Sequence, residues 1–417
     1  MKLWALAFGV AGVGGAVLPA PPTPWVLVVA GDADGYLSPC GCTAPMTGGV
    51  KRRATAVKQL AAHAKVVLID VGGLGGSSGR QSEMKAETSA QLAAQSDAAA
   101  VHLTDRDAAL GRGTVAAVAQ LSEGRLVSTS LPEGAIEGVK PYAERGPFLI
   151  GGAVARTAVL GEALGASPLT PETAARRLIV EAKRRKKAPV LMLADDLAGA
   201  RALATRVPGL SAIVYRSAGD PPGRPTRVGG TTLVSPGEKG KHLIRLAYDG
   251  KSFGGYTPIR LDPGFKDDPD ATRVYAAYLR RVDRANLLDQ VPRAPSDPFA
   301  GTERCGTCHA KAHEVWSKSK HRVALDTLEH EGHARDPDCV SCHVVGLEKE
   351  GGFRSRLQTP DLAHVGCESC HGAGAKHAAD PKSFRFPKVT DAACLPCHRP
   401  EQSPNFNFQT YWKKIAH

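Results

Sequence analysis

The first two thirds of the chain alternate between short apolar runs and longer amphipathic stretches. Four runs rich in valine, leucine and isoleucine have the length and composition of buried strands: Trp25 to Ala30, Val66 to Val71, Leu149 to Gly152 and Val190 to Leu193. Between them, Ala54 to His63 and Thr170 to Lys186 have the period of amphipathic helices. This order predicts an α/β domain of layered sheets and helices over residues 23–265.

The last third of the chain loses this alternation. Residues 266–297 are typical of a helical linker, which ends in a proline-rich stretch. Residues 298–417 contain few aliphatic side chains, and we expect a second domain that is mainly α-helical and rich in loops. Alone, this segment could not bury enough apolar surface to offset its chain entropy. Its hydrophobic core therefore needs apolar groups other than its own side chains.

The amino terminus has the order of charged and apolar residues that is typical of a signal peptide. An uncharged stretch from Leu3 to Ala20 follows Lys2, so residues 1–20 are predicted to be removed on export, to a periplasmic location. An uncleaved anchor is the alternative, and only in that case do we expect contact with a membrane. A chain with a formal charge of +12 could attract either nucleic acid or an acidic protein. Export excludes nucleic acid and leaves the alternative of an acidic protein partner.

Eight of the ten cysteines occur in four copies of the pattern C-x-x-C-H. In each copy two thiols can bond to the vinyl groups of one haem, and the histidine then binds the iron as its proximal ligand. Zinc ribbons also use C-x-x-C pairs, but zinc does not need the adjoining histidine. We therefore predict four covalently bound haem c groups on Cys305, Cys308, Cys339, Cys342, Cys367, Cys370, Cys394 and Cys397, with proximal ligands His309, His343, His371 and His398.

The second iron ligands must come from other histidines, because residues 298–417 contain no methionine. Bis-histidine ligation predicts low reduction potentials. The segment from His309 to Leu328 is predicted to be one helix, which would hold His321 roughly 18 Å from His309, so that His321 serves a different haem. His313, one turn from His309, cannot reach the opposite side of the same iron. His330 and His333 are expected in an exposed turn, and three further histidines are present: His364, His377 and His417.

The segment from Cys305 to His398 resembles the tetrahaem cytochrome c family typified by the nitrifier cytochrome that accepts electrons from hydroxylamine oxidoreductase. The resemblance rests on Trp316-Ser317-Lys318-Ser319-Lys320-His321, on Val344-Val345-Gly346 followed by Gly351-Gly352-Phe353, and on Val365-Gly366-Cys367-Glu368-Ser369-Cys370-His371-Gly372. It implies paired, stacked haems and distal roles for His321 and His377. The ending through His417 resembles those of related multihaem proteins and makes His417 a third distal candidate. One haem of the typical member lacks a protein distal ligand.

The α/β region is similar to calcineurin-like metallophosphoesterases of the 5′-nucleotidase kind. The similarity rests on Pro39-Cys40-Gly41-Cys42, on Gly48 to Arg53 and on Asp70. A two-metal hydrolase needs imidazoles and a bridging carboxylate to hold its ions. This chain departs from the family at those positions, which predicts a degenerate, non-catalytic domain: Asp32-Ala33-Asp34, Gly72-Gly73, Leu103-Thr104-Asp105 and Tyr215-Arg216-Ser217.

The sequence therefore favours an electron carrier over an enzyme, with redox proteins as partners and no catalytic residue. One alternative is a haem enzyme that acts on a small nitrogen or oxygen species at a five-coordinate haem. A second alternative is a metal-dependent phosphoesterase with an attached redox domain. The spacing of Cys40 and Cys42 fits either a strained disulfide or a thiol pair that binds a soft metal or a redox partner.

Overall fold

The computed structural model describes residues 24–39, 46–400 and 402–417. The predicted signal segment, residues 1–20, and the pair Cys40 and Cys42 lie outside these residues. The strands are β1 (Trp25–Ala30), β2 (Lys65–Asp70), β3 (Ala100–His102), β4 (Leu126–Val127), β5 (Tyr142–Arg145), β6 (Phe148–Val154), β7 (Ala188–Ala194), β8 (Ala212–Val214), β9 (Thr226–Val228), β10 (Thr231–Val234), β11 (His242–Tyr248) and β12 (Phe253–Arg260).

Most helices of the first two thirds are longer than those of the last third. The α-helices are α1 (Val50–Ala61), α2 (Arg80–Gln95), α3 (Asp105–Ala108), α4 (Arg112–Leu121), α5 (Thr157–Leu164), α6 (Pro171–Arg185), α7 (Leu197–Arg206), α8 (Pro269–Arg284), α9 (Thr302–Cys308), α10 (Ala310–Ser317), α11 (Ala324–Glu331), α12 (Pro337–Val340), α13 (Cys367–His371), α14 (Ala375–Ala379) and α15 (Phe408–Trp412). Short 3-10 helices cover Leu287–Gln290, Lys320–Val323, Pro360–Leu362 and Asp391–Ala393. Within the described ranges, no helix is both long and apolar enough to cross a membrane.

Two six-stranded sheets form the centre of the N-terminal domain. The first has the order β12-β11-β1-β2-β3-β4, with β1 to β4 parallel and β11 and β12 antiparallel at one edge. The second has the order β5-β6-β7-β8-β10-β9, with antiparallel strands only at its two edges. All four predicted strands lie in these sheets, within β1, β2, β6 and β7 or one residue beyond.

The sheets pack face to face and carry helices on their outer sides. Along β1, Val26 and Val28 point toward the helix layer, whereas Leu27 and Val29 contact the second sheet. This is the two-residue alternation of a strand that is buried on both faces. The second sheet is covered on its outer side by α6 and α7. The predicted layered α/β class is therefore confirmed for the N-terminal domain.

Helix α8 lies within the predicted linker and packs against α1 and α2. Asp268 caps it by accepting from two backbone amides of the first turn, and Pro269 occupies the first helical position. Its buried face carries Tyr275 and Tyr278, which join a core with Leu37 of the N-terminal domain. A few residues later the chain enters the core of the C-terminal domain. The proposed limits of the linker, 266–297, stay a prediction.

The C-terminal domain consists of short helices and turns, as the sequence predicts. The single helix expected from His309 to Leu328 is wrong, because α10 ends at Ser317 and α11 starts at Ala324. Ser319 is extended and its hydroxyl donates to the carbonyl of Trp316 at 2.7 Å, which ends α10. The break turns His321 away from the axis of α10.

Candidate functional site

Local structure presents each C-x-x-C-H motif on one tight turn of the chain. The first motif ends α9, the second starts on α12 and the third forms α13, whereas the fourth follows a 3-10 turn. Asp336 caps α12 by accepting from the amide of Asp338. In the third motif, the buried carboxylate of Glu368 accepts from the amides of Ala300 and Gly301, which fixes α13 beside the start of α9.

Three pairs of imidazoles bring a motif histidine next to a histidine from elsewhere in the chain. The ring centroids are 6.0 Å apart for His309 and His377, and 6.3 Å apart for His321 and His398. His371 and His417 are also 6.0 Å apart. We call these the three imidazole pairs.

These distances fit one iron between each pair. An iron bound by two imidazoles separates the ring centroids by roughly 6 Å, because each metal–nitrogen bond is about 2 Å and the centroid lies about 1 Å beyond the nitrogen. All three distal candidates of the sequence, His321, His377 and His417, are members of the pairs, each beside the proximal histidine of a motif that is not adjacent in the chain. Their ligand roles stay predictions.

Hydrogen bonds orient several of these rings for metal binding. Nδ1 of His343 donates to the carbonyl of Ala324 at 2.6 Å, and Nδ1 of His377 donates to that of Phe384 at the same distance. Nδ1 of His417 donates to a carbonyl at 3.0 Å. Because a carbonyl oxygen only accepts, each Nδ1 carries the proton and each Nε2 keeps a free lone pair. This is the tautomer that a metal-binding histidine needs.

The motif thiols also lie in two neighbouring sets. A hydrogen bond between Cys305 and Cys367 raises the pKa of the first thiol and lowers the pKa of the second. The same contact joins Cys342 and Cys397, where it lowers the pKa of Cys342 and raises that of Cys397. The first motif therefore lies against the third, and the second against the fourth. This arrangement fits haems that stack in two pairs.

The packing of the C-terminal domain fits bulky groups between its motifs. A small core of apolar side chains, from Leu288 to Ala363, surrounds the second motif. After Ala363, none of the described hydrophobic side chains is buried, although the third and fourth motifs lie there. Porphyrin rings would supply the apolar surface that this part of the chain lacks. The residues present therefore fit covalently bound haem.

The remaining histidines of this domain have other surroundings. Nδ1 of His364 accepts from the amide of Leu325 at 3.2 Å, so this ring is part of the core. Nε2 of His313 is 3.5 Å from a carboxylate oxygen of Glu303. His330 is exposed, as expected. His333 was expected to be exposed as well, and this is wrong because helix α8 covers it with Tyr275.

His343 differs from the other motif histidines. In the part of the chain that the structure describes, no second imidazole stacks at about 6 Å from its ring, whereas each of the other three has one.

The N-terminal domain has a second cluster of charged residues, where the parallel strands of the first sheet end. Asp32 follows β1, Asp70 ends β2 and Asp105 follows β3, which brings their carboxylates to one edge of the sheet. Each is bound by an arginine from another element. Arg216 contacts Asp32 at 2.7 Å and Arg53 contacts Asp70 at 2.7 Å. The remaining pairs are Arg156 with Asp105 and Arg106 with Asp34.

These residues do not fit a two-metal hydrolase. Burial raises the pKa of Asp32 despite the opposing effect of Arg216. Guanidinium groups occupy the carboxylates that would hold ions, and among the described residues no histidine forms a hydrogen bond or ion pair with these carboxylates. Among the described residues, the only three groups close enough to share an ion are His333, Asp336 and Cys339, none of which is at this edge. Arg53 and Arg216 stand in segments that the sequence analysis singled out, but their ion pairs with Asp70 and Asp32 could not be predicted, because the partners are far apart in the chain.

Comparisons with known proteins separate the two domains. Residues 304–372 match the family model of cytochrome c554 and c-prime. Cytochrome c-554 of Nitrosomonas europaea is 32% identical over 102 residues, which cover 21% of this chain and 43% of that protein. The chain thus covers less than half the length of this curated relative. The predicted resemblance of the C-terminal region is confirmed.

Solved structures match through the α/β fold. The sulfate thiohydrolase SoxB of Thermus thermophilus superposes with a TM-score of 0.53 at 17% identity, covering 72% of this chain and 68% of that one. A 5′-nucleotidase precursor of the same organism gives a TM-score of 0.52 at 18% identity, with 74% and 68% covered. At these identities the likeness shows the fold alone, and it confirms the predicted metallophosphoesterase-like architecture.

Proposed function

We propose that this chain is an exported electron-transfer protein that carries four c-type haems in its C-terminal domain. The observation that supports the proposal is the set of three imidazole pairs, in which three of the four motif histidines each have a second imidazole at the distance expected for two ligands of one iron. Bound haem iron would supply reversible one-electron chemistry. The chain supplies thiols for attachment, imidazoles for ligation and close spacing between the groups.

The role of the N-terminal domain in this proposal is docking and positioning. Its strand-edge carboxylates are bound by arginines, which supports a non-catalytic role. It also contacts the residues that come just before the second motif: Nε2 of Gln81 donates to Asp336 at 2.6 Å, and Lys85 forms an ion pair with Asp338. We propose that redox proteins, among them acidic ones, are the partners. The periplasmic location rests on the uncharged stretch after Lys2.

Mass spectrometry of protein made with the cytochrome c maturation machinery tests this function. We expect a mature polypeptide that lacks the signal segment and carries four haem masses, with the visible absorption bands of c-type haem. A colourless protein with the mass of the bare polypeptide would contradict the proposal. A protein with fewer than four haems would contradict the count and identify, by peptide mapping, which motif is not used.

One observation favours a second function, a haem enzyme for a small nitrogen or oxygen species. His343 has no paired imidazole in the described part of the chain, so the haem of the second motif would be five-coordinate. Electron paramagnetic resonance should then show one high-spin haem in four, and nitric oxide or cyanide should bind at that haem. Four saturated bis-histidine spectra would exclude this function and leave electron transfer intact.

A further inference from the structure

His333 lies in the seam between the two domains. The ring of Tyr275, from α8, is beside it with the centroids 5.9 Å apart, and the tyrosine hydroxyl is 3.5 Å from Nε2. On its other side, Nδ1 faces Oδ2 of Asp336 at 4.0 Å. The His333 side chain is 16% exposed, and its Nδ1 is buried without a hydrogen-bond partner. In the tautomer in which Nε2 carries the hydrogen and donates it to the tyrosine hydroxyl, Nδ1 keeps a lone pair that can bind a second proton.

This imidazole also lies next to the second C-x-x-C-H motif. His333, Asp336 and Cys339 each place one polar or sulfur atom within 4.8 Å of the others. Cys339 is the first cysteine of the motif, so its sulfur belongs to a thioether bond rather than to a separate metal site. His333 is therefore at the edge of the haem that this motif would carry.

We propose that His333 is a proton-binding residue coupled to electron transfer at the second motif. Nδ1 of His333 binds one proton from solvent when one electron arrives from the redox donor, and it releases that proton when the electron leaves for the acceptor. The only bond made and broken is N–H, and a tenfold change in proton affinity corresponds to an average uptake of about half a proton per electron at the centre of the pH range in which the two are coupled. This inference rests on the proposed function, because it requires haem at Cys339 and Cys342.

Charges from three elements act on His333. Burial has the largest effect and holds the pKa of His333 below its usual range. The negative charges of Asp336 and Glu331, on its own segment, raise this pKa, whereas the positive charge of Lys51 on α1 lowers it further. Tyr275 on α8 stays neutral, since burial raises its pKa. An added electron makes the site more negative and therefore favours the imidazolium. Unit charges about 10 Å apart at an effective dielectric constant of about 20 change the proton affinity roughly tenfold.

Potentiometric titration of the holoprotein between about pH 4 and 8 tests the coupling. In the unmodified protein, the midpoint potential of one haem should fall by about 59 mV in total as the pH rises, which corresponds to a tenfold change in proton affinity. The fall should begin below the ordinary histidine range, in keeping with the lowered pKa. His333→Gln should remove this dependence. The matched control His330→Gln changes an exposed histidine three positions earlier and should leave it unchanged.

Two outcomes would overturn the inference. The first is a midpoint potential that does not change with pH in the unmodified protein. The second is a His333→Gln variant whose midpoint potential keeps the full pH dependence, since the proton would then be bound elsewhere, for example by a haem propionate. If His333→Gln does not fold, Asp336→Asn serves instead. Because this variant removes the negative charge beside His333, the pH range over which the midpoint potential falls should move to lower pH. If that range does not move, the inference is contradicted. A protein without haem would contradict the proposed function itself, so the two failures are distinguishable.

Discussion

Replacement of Arg53 by methionine should strongly destabilise the N-terminal domain. Nη1 of Arg53 lies 2.7 Å from Oδ2 of Asp70, and the two side chains are only 8% and 5% exposed. The other oxygen of this carboxylate accepts from the amide of Gly72 at 3.1 Å. Methionine keeps much of the volume of arginine but removes the charge, so Asp70 would remain buried with one hydrogen bond and no counter-ion.

Breaking a buried ion pair in this way costs about 3–5 kcal/mol, because the remaining charge is desolvated without compensation. Lys51→Met is the matched control on the same helix. Lys51 lies 2.6 Å from Asp267, but these side chains are 20% and 42% exposed. Since water screens such a pair, its loss should cost no more than about 1 kcal/mol.

Guanidinium unfolding followed by far-ultraviolet circular dichroism measures the difference, with the haem absorption bands as a check on the C-terminal domain. The double variant Arg53→Met with Asp70→Asn removes both charges and should recover most of the lost stability. If Arg53→Met lowers the free energy of unfolding no more than Lys51→Met does, the ion pair between Arg53 and Asp70 does not stabilise the domain. If the double variant is no better than the single one, the penalty does not come from an unpaired carboxylate.

Three further predictions concern the haem ligands, the acid stability and the seam. His377→Ala should convert the haem of the first motif to high spin, seen by electron paramagnetic resonance, whereas His330→Ala should not. Burial, with a smaller effect of a nearby arginine, lowers the pKa of His102 to about 3. Between about pH 6.5 and 3 the unfolded chain therefore binds one more proton at this residue, which lowers the free energy of unfolding by about 1.4 kcal/mol for each pH unit of acidification. In denaturant titrations, His102→Leu should remove this contribution from the pH slope, and other buried histidines such as His242 should continue to contribute. Lys85→Glu should expose the seam to limited proteolysis, and added Asp338→Lys should restore protection.

Much of the fold could be predicted from local patterns. The strands around Val28 and Ile150 are short apolar runs, and such runs need no knowledge of distant residues. The attachment motifs are local as well, since each occupies five consecutive positions. For the distal histidines, the resemblance to a family supplied what spacing alone could not.

The errors concern tertiary contacts. His333 lies in a polar stretch that reads as an exposed turn, and only the packing of Tyr275 from α8 against it makes it buried. The break after Ser317 likewise depends on Trp316, whose indole nitrogen donates to the carbonyl of Val365 at 2.8 Å. Such contacts join residues far apart in sequence, where propensity and periodicity carry no information.

The imidazole pairs cross the order of the motifs, and this limits how the C-terminal domain can be divided. The ring of His377, which follows the third motif, lies beside His309 of the first motif, and the ring of His321, which precedes the second motif, lies beside His398 of the fourth. A fragment that keeps one or two motifs would therefore lose ligands from its own haems as well as the haems it omits. On the proposed ligation, the first, third and fourth motifs each depend on a histidine that lies beyond another motif, so trimming the domain to a two-haem module would remove at least one iron ligand.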